Sequence, residues 1–158
     1  MTPEQRYFFD LTGYIHLHGA LSEAELAPAQ EAADRYIRMS PEEWPPEFGG
    51  DLDRSDLIGL QHGFAFDKSL EVLARHPAIW PILMELTDCR PRLNGGTLGY
   101  NRHGHNFHHL HAGWTADKQP DVRRYYIEDG KIHATDLVFF FYLTDVHPGD
   151  GGLIVLPG

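Results

Sequence analysis

The sequence predicts one mainly β domain with α, in which a helical layer packs on a β-core, and three observations carry that expectation. Helix-like patterning runs to about Thr87 and then gives way to strand-like, Gly- and aromatic-rich patterning. Asp129-Gly130 separates two strand-length blocks, and a type I′ hairpin needs positive φ at both turn residues, which Asp-Gly tolerates. Leu137-Val138-Phe139-Phe140-Phe141-Tyr142-Leu143 is an unbroken apolar run of strand length, the pattern of a strand buried on both faces. A chain of 158 residues with 42% hydrophobic residues is long enough for one buried core.

Taken in order, Phe8, Phe9, Tyr14 and Ile15 flank Gly13 and are expected in a short extended opening. Ser22 with Glu25 forms a capping box, after which Leu26, Ala29, Ala33 and Ile37 recur at helical spacing until Pro41. Residues 41–50 hold three prolines and two glycines, so a loop is expected there. Two short helices are expected at residues 67–74 and 77–86, with Pro77 acceptable in a first turn and Pro81 weakening the second. Strand-length blocks follow at residues 92–100, 107–114, 123–128, 131–142 and 153–156. The expected division is therefore a helical part over residues 1–89 and strands over residues 90–158.

Charge and cysteine content exclude several function classes. A net charge of -10 and a pI near 5.4 argue against nucleic acid or an anionic membrane as partner, because both are held by basic surfaces. The single cysteine, Cys89, excludes a disulfide framework and a thiolate zinc site, and reads as a small half-buried hydrophobe in a reducing compartment. The opening MTPEQRYFFDLTGY lacks a basic region followed by an apolar run, and no stretch approaches the ~18 apolar residues of a membrane span. A soluble cytoplasmic protein is expected.

Five of the eleven histidines fall between His103 and His111, in RHGHNFHHLHAGW. On a strand His109 and His111 project from one face and His108 and Leu110 from the other, so the first pair is placed to share a metal ion. Non-heme iron sites use two histidines and one carboxylate on one face, commonly opening with His-x-Asp or His-x-Glu. Here Gly113 follows His111 at that spacing, so the residues alone leave metal ligation and plain strand histidines both open.

The stretch LVFFFYLTDVHPGDGGLIVLPG closely resembles the core of the phytanoyl-CoA dioxygenase family, where a buried strand enters a Thr-Asp-Val-x-Pro-x-Asp-Gly-Gly turn and a strand ending in Pro-Gly. The opening Phe9-Asp10-Leu11-Thr12-Gly13-Tyr14 and the capped Leu21-Ser22-Glu23-Ala24-Glu25 are similar to that family's start, and His111-Ala112-Gly113 looks like the Leu-His-Gly-Gly of some members. The resemblance implies a double-stranded β-helix core, jelly-roll and cupin-like, with N-terminal helices. It further implies Fe(II)- and 2-oxoglutarate-dependent hydroxylation of a small organic substrate, with His111 as first metal ligand and His109 as its nearest alternative. Gly113 at the carboxylate position keeps two other outcomes open: a binding module on a barrel that has lost its metal, and an iron halogenase in which the small residue opens a position for chloride.

Arg92, Arg102, Asn94, Thr97 and Tyr100 are candidates to line such a pocket, with Trp114, Tyr125, Tyr126 and residues 139–141 as a dry aromatic wall. None of them is assigned to the co-substrate. The turn from Thr144 to Gly152 also reads without the family: Pro148 fixes φ, Gly149, Gly151 and Gly152 permit positive φ, and Asp145 and Asp150 can bond nearby amides as scaffold. About five strand blocks stand against the about eight of a jelly roll. The chain is therefore expected to be partial, without oxygenase turnover, and either marginally stable or self-associating through an open sheet edge.

Overall fold

The computed structural model describes residues 1–45, 47, 57–101, 124–150 and 152–157. Helix α1 (Pro3–Thr12) is opened by Thr2, whose Oγ1 accepts from the Gln5 amide at 3.1 Å while Gln5 Oε1 accepts from the Thr2 amide at 2.9 Å. Pro3 sits at the helix start, where its missing N–H costs nothing. Gly13 ends α1 at φ 76°, its amide donating to the Phe9 carbonyl at 2.8 Å. The expected extended opening is thus a helix, because this start and stop punctuation outweighs the strand preference of the aromatic residues.

Helix α2 (Glu23–Arg38) begins at the Ser22–Glu25 capping box, with the Ser22 amide and hydroxyl donating to Glu25 Oε2 at 2.9 and 2.6 Å. It buries Ala29, Ala32, Ala33 and Tyr36. Pro28 lies inside the helix and has no N–H to give the preceding turn, yet its carbonyl accepts from Ser69 Oγ at 3.1 Å and so ties α2 to the next helix. The expected loop after α2 contains a 3-10 turn (Pro41–Glu43), and Trp44 Nε1 donates back to the Tyr36 carbonyl at 3.0 Å.

Strand β1 (Leu57–Gln61) lies inside the stretch read as helical and pairs antiparallel with β2 (Thr97–Asn101), Gly59 opposite Gly99. After a 3-10 turn (Gly63–Phe66), Asp67 caps α3 (Lys68–Glu71), which tightens into a second 3-10 turn (Val72–Arg75). Helix α4 (Trp80–Leu86) starts later than expected, and Pro81 belongs to its first turn instead of interrupting it. Strands β3 (Tyr125–Glu128) and β4 (Lys131–Ala134) form the expected hairpin, with Asp129 at φ 50° and Gly130 at φ 73°. No helix among the described residues is long and apolar enough to cross a membrane.

Two apolar clusters hold these elements. Ala29, Ala32, Tyr36, Leu60, Leu70 and Leu73 bring α2, β1 and α3 together, and Phe9, Ile82, Leu86 and Ala134 bring α1, α4 and β4 together.

Among the described residues the double-stranded β-helix is not formed. The described strands make two separate two-stranded antiparallel sheets, β1 with β2 and β3 with β4. An apolar run becomes a strand only where a neighbour completes its hydrogen bonds, and residues 137–143 lack that ladder among the described residues. Their burial alternates instead: Leu137, Phe139, Phe141 and Leu143 are half-buried, while Val138, Phe140 and Tyr142 are 70%, 60% and 51% exposed. Phe141 and Leu143 pack on the first cluster and Leu137 on the second, and Gln30 Nε2 holds the Leu143 carbonyl at 2.5 Å. This segment is a strap across both clusters with one face outward, not a strand buried on both faces. The blocks at 92–100 and 131–142 shorten to β2 and β4, residues 153–156 are exposed and form no strand, and the block at 107–114 lies outside the described residues.

Candidate functional site

The most connected polar site centres on His76, 6% exposed, where the chain passes from the second 3-10 turn to α4. Its amide donates to the Leu73 carbonyl at 3.1 Å, and its carbonyl accepts from the amides of Ile79 and Trp80 at 3.0 and 2.9 Å. Its Nδ1 accepts from the Ala78 amide at 3.2 Å, so Nε2 carries the ring proton and donates to Glu25 Oε1 at 3.2 Å. The ring edge meets Phe141 at 6.1 Å and 72°. One imidazole thereby joins the start of α2, the turn before α4 and the strap.

Glu25 accepts from three donors. The Ser22 hydroxyl, then the Ser22 amide and His76, hold its carboxyl below the usual glutamate range. Both His76 nitrogens are committed, so neither is free to ligate a metal or take a proton from a substrate. Over this pair opens a cleft of about 470 Å³ lined by Glu25, Val72, Arg75, His76, Pro77 and Trp80. Among the described residues neither the Arg75 guanidinium nor the Trp80 indole N–H has a hydrogen-bond or ion-pair partner. The pairing of Glu25 with His76 was not legible in the sequence, because 51 residues separate the two.

Those of the residues expected to build an oxygenase pocket that are described do not gather. His109 and His111, with Gly113, Arg102 and Trp114, lie outside the described residues. Arg92, Asn94, Thr97 and Tyr100 are exposed. Tyr125 donates its hydroxyl to Asp10 on α1, and burial followed by that bond pushes its phenol up to about 12. Tyr126 stacks on His133 of its own hairpin, centroids 4.7 Å apart, and Phe140 points outward. In the turn after the strap, Asp150 acts as scaffold: its Oδ2 accepts from the His147 amide at 2.8 Å and its amide donates to the His147 carbonyl at 3.0 Å, with Gly149 at φ 98°. Cys89 is exposed at φ 57°, not half-buried.

No protein-family model, curated protein or solved structure matches the chain. The resemblance to the phytanoyl-CoA dioxygenases is therefore not upheld. Among the described residues no three His, Cys, Asp or Glu side chains come together as a group that could hold a metal ion. A two-histidine, one-carboxylate site needs its ligands fixed on one rigid sheet face, and among the described residues two separate two-stranded sheets supply no barrel to hold it or to house 2-oxoglutarate. The reading as an Fe(II)- and 2-oxoglutarate-dependent dioxygenase, with those two cofactors, is corrected on these grounds. The metal-free barrel and the halogenase fall with the same scaffold.

Proposed function

We propose that the chain acts by association with a second copy of itself through the outward row of the strap, Val138, Phe140 and Tyr142. The observation behind this reading is that three large apolar side chains at every second position face outward, with no described ladder partner beside them. Such a row is self-complementary about a two-fold axis. Antiparallel pairing centred on Phe140 sets Phe140 against Phe140 of the partner subunit and Val138 against Tyr142 of the partner subunit, while backbone groups with no partner among the described residues form the ladder. Leu153, Ile154 and Leu156, each more than half exposed, enlarge the apolar area available to the interface.

The net charge of -10 disfavours nucleic acid and anionic lipid as competing partners. A reducing, cytoplasmic setting is part of the proposal, supported by the exposed free thiol of Cys89. Sedimentation velocity between about 1 and about 100 µM tests it, a range spanning typical weak homodimers. The expected result is a concentration-dependent dimer that Phe140→Lys and Val138→Lys abolish with unchanged far-UV circular dichroism. A monomer across the whole range, or a dimer indifferent to both substitutions, overturns it.

A further inference from the structure

We infer that the cleft between the start of α2 and the start of α4 binds a small organic carboxylate with a flat apolar body, a site independent of the association surface. The cleft, about 470 Å³, is more open than enclosed, so a ligand would lie against one wall of it and stay partly in water. The chemistry follows from what its walls leave unused. Arg6, Arg35, Arg38, Arg90 and Arg124 each hold a carboxylate of this chain. Arg75, exposed on the cleft wall, hydrogen-bonds none among the described residues; Glu71 one turn earlier is bonded to Lys68 and feels Arg75 only through its charge. A guanidinium with its fork unoccupied matches a carboxylate bidentately. The unpaired indole N–H of Trp80 is a second donor on the same cleft.

The rest of the lining supplies the apolar half. Trp80, Pro77 and the half-exposed Val72 offer a surface on which a ring can lie, and an aromatic face buries most when its partner is also flat. Glu25 on the cleft wall opposes an anion here, as does the charge of Glu71, whose carboxylate is bonded to Lys68. The Glu25 carboxylate already accepts from the Ser22 amide, the Ser22 hydroxyl and His76 Nε2–H, which blunts its field toward the cleft. A single guanidinium beside a glutamate suits a singly charged carboxylate better than a polyphosphate.

Benzoate is the probe, with uncharged benzamide as its neutral counterpart, followed by tryptophan fluorescence and by calorimetry on the full chain. Benzoate is expected to bind saturably, with benzamide and the Arg75→Gln variant each weaker by about tenfold or more, the scale of losing one charge-assisted pair. Trp80→Phe should remove the fluorescence change while calorimetry still detects benzoate. Phe140→Lys, which tests only the association surface, should bind benzoate like the wild type. Equal affinity for benzoate and benzamide, equal affinity of wild type and a folded Arg75→Gln, or no benzoate binding at all would each overturn the inference.

Discussion

At the residue scale, a buried donor or acceptor without a partner costs about 1–3 kcal/mol, and His76 avoids that cost with both ring nitrogens engaged. His76→Ala leaves the Ala78 amide without its acceptor and strips the ring from Phe141, so a loss of about 2–3 kcal/mol is expected in urea unfolding. Gly130→Ala places a Cβ at φ 73° and should cost about 1 kcal/mol, read as a lower urea midpoint at constant slope. Asp67 sets a pH dependence. The Ser69 hydroxyl, working against burial and joined by Arg35 and the Ser69 amide, holds its carboxyl below the ordinary range. A carboxyl depressed on folding stabilises fully above its unfolded pKa of about 4, and that contribution is lost as pH falls through the lower folded value. Asp67→Asn should therefore be less stable than wild type by about 1 kcal/mol at neutral pH, with the gap closing as the pH is lowered from about 5 toward about 2.5. A gap that stays constant over that range would show that the carboxylate charge is not what Asp67 contributes.

At the element scale, the strap is defined by which of its faces is inward. Phe141 packs on the α2, β1 and α3 cluster, whereas its neighbour Phe140 is 60% exposed. Phe141→Ala is expected to lose about 2 kcal/mol of unfolding free energy, and Phe140→Ala less than about 0.5 kcal/mol when both are measured dilute enough to be monomeric. Reversal of that order would mean that the strap lies in the opposite register. β1 depends on the same cluster through Leu60, which is fully buried, so Leu60→Ala should cost about 3 kcal/mol by leaving a cavity beneath the strand pair.

At the scale of the whole molecule, long-range polar contacts reinforce the second cluster, which joins α1, α4 and the β3–β4 hairpin. Glu85 on α4 pairs with Arg6 on α1 and with the Met1 ammonium, and Tyr125 on β3 bonds Asp10 of α1. Burial raises the Glu85 carboxyl, and the hydrogen bonds from Arg6 and the ammonium outweigh it. With a net charge of -10, two copies repel each other, so an apolar interface should tighten when salt screens that repulsion. Raising the salt from about 0.05 to about 0.5 M is expected to lower the dimer dissociation constant in sedimentation. A dimer that loosens with salt would mean that ion pairs, and not the row at Phe140, hold it.

The sequence by itself determined the features whose causes are local. Ser22 and Glu25 start α2 because both capping partners lie within one turn, and Asp129-Gly130 makes its hairpin because the two residues accept positive φ wherever they occur. α1 reads wrongly as an extended opening on the strength of its aromatic residues, although Thr2, Pro3, Gln5 and Gly13 carry its local start and stop signals. What only the tertiary structure decided are pairings between distant residues. β1 is a strand because β2 lies beside it, and no pattern within Leu57–Gln61 announces a partner that far along the chain. The run at 137–143 has the side chains of a buried strand but acquires only one buried face, since strand formation requires a neighbour to complete its hydrogen bonds. The cleft belongs to the same class, because Glu25 comes beside His76 and Trp80 only through contacts between residues far apart in the chain, which are not written in local periodicity.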